Sequence, residues 1–246
     1  MYLQNLKNLN YPEIIIYHHL GLGDLIICNG LVNYFSDRLE KIYLIVDEKF
    51  KSQAFYLYKD NHKVEILSNE IERINRLDNF VEKTSNKYNL PVLKIGWKNY
   101  NNLIFKIPFY KAFYKQVKLP YSYSYKYFNL PTDLKSELEL KNHLYKEFKI
   151  DKSKNKKLIH CEASNETYNL NIDKTNSIFV NKDTDIFNNI FLYRLVANKV
   201  NEIHCVNSSF IHLIDRIDTN AKLYYHHIRG SSLKLKKNWK VIDYEN

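Results

Sequence analysis

Two short stretches place reactive side chains where a strand hands over to a helix. In the first, GLGD, Gly21 and Gly23 precede Asp24. An acid there can take a proton from a substrate hydroxyl, or simply favour the positive end of its own helix. His18 and His19 stand just before it on a strand end, where neighbours point to opposite faces, so one faces a cleft and the other the core. In the second stretch, NSSFIH, Asn207, Ser208 and Ser209 lead into a helix, with His212 one turn further on the same side. Hydroxyls and free backbone N–H groups at such a point make an anion site, or merely a helix cap. Three of the chain's five glycines fall between Tyr17 and Gly30. A tight turn that lets backbone approach a ligand explains that concentration. Asp24 would repel a phosphate there, so the turn reads as one that presents an acid.

Alternating elements position both stretches. EIIIYHH reads as a strand, DLIICNGLVNYFSDR as a helix with Leu25, Cys28, Leu31, Val32 and Phe35 on its packing face, and KIYLIVDE as a second strand. That is a βαβ unit, hence a parallel sheet. KVEIL and PVLKIGW continue it, with a polar helical stretch between them. In PYSYSYKYFNLP, Tyr121, Tyr123, Tyr125 and Tyr127 share one side of an extended segment, fit for stacking on a sugar ring or base or for packing. A helix capped by Thr132 follows. The rhythm then restarts with KLIHCEAS, SIFVN, a helix over DIFNNIFLYRLVANKV, EIHCVN, the helix SSFIHLIDRI and KLYYHHI. The expected architecture is α/β, with two Rossmann-like parallel-sheet domains over 1–130 and 151–246, a connecting helix over 131–150, and the second domain reduced.

The totals set bounds. At 246 residues, 45% hydrophobic and 26% charged, the chain is globular rather than disordered. No apolar run approaches the roughly 20 residues of a membrane span, and no leader pattern opens the sequence. Cys28, Cys161 and Cys205, odd in number and far apart, read as buried free thiols of a cytoplasmic protein. The net charge of +10 is spread along the chain, as a solvated surface would be. Asp183 and Asp185 form a D-x-D ahead of a helix, a metal-holding shape and also a favoured cap; His226 and His227 point apart on a strand and cannot readily share one ion.

Taken together, GLGDLIICNGLVNYF resembles the N-terminal glycine-aspartate motif of heptosyltransferase-like glycosyltransferases, family nine. CVNSSFIHLIDRI is similar to that family's donor-site motif, and KLIHCEAS resembles the strand and small-residue loop that open its C-terminal domain. The resemblance implies a GT-B fold, with an acceptor on the first domain and a nucleotide sugar on the second. The acceptor would be a glycan, a lipid-linked saccharide or a small molecule. It implies Asp24 as base, with His19 beside it. Gly21 and Gly23 would lie against the substrate, and Asn207, Ser208, Ser209 and His212, with Ser164, would contact the donor. The implied transfer is inverting and needs neither metal nor cofactor. Asn207 stands where the family has aspartate and Ser209 where it has glycine.

Two other readings compete. The charge, the tyrosines and the altered donor motif suit a non-catalytic nucleic-acid or polyanion-binding protein that keeps a glycosyltransferase-like fold. A nicotinamide or methyl-donor enzyme would use the glycine turn with Asp47 as ribose-binding acid, but G-x-G-x-x-G fails at Ile26.

Overall fold

β-branched and aromatic runs become strands, and the glycine turn starts the first long helix. The computed structural model describes residues 2–3, 11–18, 21–69, 74–96, 107–163, 166–228 and 232–244. They divide into two units, Met1–Pro131 and Thr132–Asn246.

The first unit contains β1 (Tyr2–Leu3), β2 (Glu13–Tyr17), α1 (Leu22–Ser36), β3 (Lys41–Asp47), α2 (Lys51–Tyr58), β4 (Val64–Asn69), α3 (Ile74–Tyr88), β5 (Val92–Lys94), α4 (Phe109–Gln116) and α5 (Tyr123–Lys126). Its sheet runs β1-β5-β2-β3-β4 with every pairing parallel. Ile15 lies opposite both Tyr43 and Val92, and with Tyr17 and Ile45 these pack on Val81 of α3. After β2 the chain steps through β3 and β4, then returns to the far side of β2 as β5. That reversal opens a crevice beyond the carboxyl ends of β2 and β5, where open α/β sheets hold ligands.

The second unit contains α6 (Leu134–Glu147), β6 (Lys157–His160), β7 (Ser177–Phe179), α7 (Arg194–Ala197), β8 (Glu202–Val206), α8 (Ser209–Ile214), β9 (Lys222–His227) and β10 (Trp239–Asp243). Its sheet runs β10-β9-β8-β6-β7, again wholly parallel, and its order reverses between β6 and β8. On one face Leu170, Tyr168 and Ile172, from an irregular segment, cover Ile159 and Val206. The helix expected as a connector belongs to this unit. Buried Glu137 of α6 takes two bonds from Arg194, at 2.5 Å to Nη2 and 3.3 Å to Nε.

Several local expectations are corrected. Tyr121 to Tyr127 do not lie extended: Tyr123–Lys126 is a helical turn, and the aromatic pairs are i, i+4. Tyr123 and Tyr127 flank Tyr34 of α1 at 5.0 and 5.2 Å, while Tyr121 and Tyr125 meet each other at 5.7 Å. Asp133, not Thr132, caps α6 by accepting the Ser136 N–H; the Thr132 hydroxyl accepts from Arg194. The long helix expected over 185–200 is a 3-10 turn, Ile190–Tyr193, followed by the single turn α7. Asn189 caps the 3-10 turn and holds the preceding residues out of helix. β10, in NWKVID, was not anticipated.

Candidate functional site

In the first crevice the isoleucine run delivers the chain to Gly21, the N-cap of α1, and Asp24 is the third residue of that helix. Its carboxylate reaches back to accept the Gly21 N–H, the reciprocal half of a capping box. Gly21 has φ −67° and ψ 151°, a conformation open to any residue, so no left-handed bend requires glycine there. Glycine instead leaves the carboxylate its seat, since a Cβ would sit 2.8 Å from Asp24 Oδ2. Gly30 is glycine for a different close approach: its Cβ would meet the Tyr123 carbonyl at 2.4 Å, where α5 lies on α1. That cover also explains why α1 is buried well beyond the expected face, at Ile26, Ile27 and Asn29. Asp24 keeps some contact with solvent, but burial pushes its carboxyl group up to about 7 against the smaller downward pull of the Gly21 N–H. The opposite wall is β5 and its exit. Gly96, at φ 85°, occupies a left-handed position that favours glycine, and Gln116 fixes it by accepting its N–H at 2.7 Å and donating to the Lys94 carbonyl at 2.8 Å. Lys94 pairs with Asp78 at 2.8 Å.

The second crevice is formed where β6 and β8 end. Ser208 occupies the N-cap position of α8, yet its side chain makes no capping bond. Its hydroxyl instead lies 3.1 Å from Nδ1 of His160, the last residue of β6. The His160 ring stacks on Phe210 with centroids 5.1 Å apart, and burial pushes the imidazole down to about 4, only weakly opposed by its own carbonyl. Asn207, Ser208 and Ser209 are half-buried at the crevice. Beside the end of β6 lies a cavity of about 360 Å³, lined by Cys161, Glu162, Tyr168, Lys174 and Asn181 among others.

Two solved structures share this architecture. A family 9 glycosyl transferase from Veillonella parvula matches 98% of this chain and 88% of its own, with TM-score 0.57 and 8% identity. ADP-heptose LPS heptosyltransferase II of E. coli matches 94% of this chain and 90% of its own, with TM-score 0.54 and 11% identity. The chain has the family 9 glycosyltransferase fold. No family profile matches the sequence, and neither does any curated protein. At such identities the likeness is one of backbone path, so the chemistry must be argued from the side chains of this chain.

Within the family 9 fold, the residues singled out from sequence separate clearly. Gly21, Gly23 and Asp24 stand where β2 hands over to α1, and Asn207, Ser208 and Ser209 where β8 hands over to α8. His18 is buried on the core side; His19 and Ser164 lie outside the described residues. His212 is buried as well, its imidazole pushed down to about 3 by burial and by the Arg216 charge, so it stays neutral within the core rather than presenting charge to the crevice. Asp185 is occupied by the Phe187 and Asn189 N–H groups, a turn rather than a helix cap. Asp47 accepts the Lys49 N–H. His226 bonds to His204 at 3.0 Å and Tyr244 at 2.8 Å, whereas His227 turns to Asp243 at 2.8 Å. All three cysteines are free, Cys161 only half-buried rather than buried. Among the described residues no group of three His, Cys, Asp or Glu side chains is arranged to hold a metal, and no helix is long and apolar enough to cross a membrane. Sequence reasoning passed over His160 and Gly96; the signal for His160 was its place at the strand end facing EIHCVN.

Proposed function

We propose that the protein is a cytoplasmic glycosyltransferase that moves a sugar from a nucleotide-activated donor to an acceptor hydroxyl. The acceptor, a glycan, a lipid-linked saccharide or a small molecule, docks on the first unit beside Asp24. The ionised carboxylate takes the hydroxyl proton as that oxygen attacks the anomeric carbon. The bond from that carbon to the nucleoside diphosphate breaks, the diphosphate leaves with the electron pair, and configuration inverts. Asn207, Ser208 and Ser209 hold the diphosphate and stabilise the charge it gains, so the step is routed through hydrogen-bond donors and not through a metal. The cavity beside β6 receives the nucleoside.

The observation that carries this reading is Asp24. In a chain with the family 9 fold, it is an acid at the switch point of a parallel sheet, lifted to about 7 and so able to exchange a proton at neutral pH. Thermal stabilisation by UDP, GDP, ADP, CMP and their sugar conjugates, with and without manganese, tests it. One nucleotide should raise the melting temperature by several degrees irrespective of manganese. Silence across the panel overturns donor binding, and a manganese-dependent shift overturns the metal-free route.

A further inference from the structure

We infer that His160 is a positioning residue for the donor's diphosphate: its imidazole holds the Ser208 hydroxyl so that the hydroxyl's own proton faces the crevice. This rests on the donor reading above and assigns a role to a residue outside the motif that suggested it. The contact between Nδ1 and Ser208 Oγ is 3.1 Å and joins the two strand ends that border the reversal of sheet order. The ring cannot turn away, since it is 8% exposed and stacked on Phe210.

The direction of that bond decides what an anion meets. If the hydroxyl gave its proton to Nδ1, the serine would turn only lone pairs to the crevice and repel a diphosphate. In the inferred arrangement Nδ1–H donates to Ser208 Oγ, whose own O–H is left to donate outward. Aligned in series, the two bonds polarise one another and strengthen the outer one. The Ser208 hydroxyl is available for this because it makes no capping bond.

Inorganic pyrophosphate is the probe, titrated against the full chain and its variants by calorimetry. His160→Asn keeps an amide near the Nδ1 position and should bind within about threefold of the parent. His160→Phe keeps the stacking on Phe210 but loses the donor, and should bind about tenfold more weakly, as should Ser208→Ala. The double variant His160→Phe/Ser208→Ala should be no weaker than either single one. His160→Gln, whose amide reaches the place of Nε2 instead, should resemble Phe and stands in if the Phe variant does not fold. A ring that is merely structural gives the opposite ranking, with Phe retained and Asn lost, and that result overturns the inference. Wild-type binding lost in Ser208→Ala but kept in His160→Phe also overturns it while sparing the donor reading. If the wild type takes up neither pyrophosphate nor any nucleoside diphosphate, the donor reading falls and this role falls with it.

Discussion

At the end of β2 a carboxyl group is pressed upward to about 7, and at the end of β6 an imidazole is pressed downward to about 4. The leading cause is the same in both crevices: burial disfavours whichever form carries charge. The chemical consequences diverge because the two groups start on opposite sides of neutrality. Asp24 is brought into the range where it can gain and lose a proton during turnover. His160 is moved out of that range and held neutral. Under the proposed function one crevice would move a proton, and the other would hold fixed dipoles against an anion.

The strongest challenge to this contrast is Asp24→Asn. Removal of the only proposed base should reduce transfer by about 10²–10⁴ while leaving nucleotide affinity in the second unit close to that of the parent. Initial rates beside a nucleotide titration separate the two effects. A variant that transfers normally would show that Asp24 serves only its helix, and the contrast between the crevices would lose its chemical half.

The next effect is on stability and runs in opposite directions with pH. Asp24 has a raised folded value, so its contribution is complete below the unfolded value of 3.8 and is lost as pH rises through about 7. His160 has a depressed one, so its contribution is complete above 6.5 and is lost as pH falls toward 4. The shifts correspond to roughly 4 kcal/mol for Asp24 and roughly 3 kcal/mol for His160 at the unfavourable end. Asp24→Asn should therefore gain stability over the parent at pH 8 and little near pH 4. His160→Asn should gain at pH 4.5 relative to its own difference from the parent at pH 8. Other buried histidines steepen the acid limb of every variant, which is why differences from the parent, measured by denaturant melts across pH, are the test. Parallel curves for either pair would mean that burial does not shift that group.

The central strands were legible from sequence because they pair in parallel and are buried on two faces, which leaves unbroken apolar runs such as Ile14-Ile15-Ile16; the edge strand β10, largely exposed, lacks that signal. The place of Asp24 in the first turn of α1 was legible for a related reason: a strand, a glycine turn and a helix are consecutive in the chain, so their geometry is local. The tyrosines were misread because residues spaced by two satisfy a strand directly and a helix through their i, i+4 pairs, and packing on α1 decided between them. The segment over 185–200 was misread because two side chains, Asp185 in a turn and Asn189 as a cap, take backbone N–H groups and interrupt an otherwise helical pattern. His160 escaped notice because its meaning depends on β6 lying beside β8, a pairing of residues 48 apart in sequence.

The smallest effect concerns the seat of Asp24. At Gly30 an added methyl would meet the backbone carbonyl of Tyr123, which cannot yield without moving α5. At Gly21 it would meet Asp24 Oδ2, the end of a side chain that can rotate aside, and the backbone already has dihedrals that alanine adopts freely. Alanine also restricts the unfolded chain, which offsets part of the disturbance. Gly21→Ala should therefore change stability by less than about 1 kcal/mol, yet reduce transfer by about tenfold because the carboxylate no longer lies where the acceptor meets it. Gly30→Ala should do the reverse, lowering the melting temperature while each folded molecule keeps its rate. Melting curves paired with rates per folded molecule separate the two. If Gly21→Ala transfers as fast as the parent, the carboxylate over Gly21 is a resting cap, and the reactive position of Asp24 is one the side chain reaches only by leaving it.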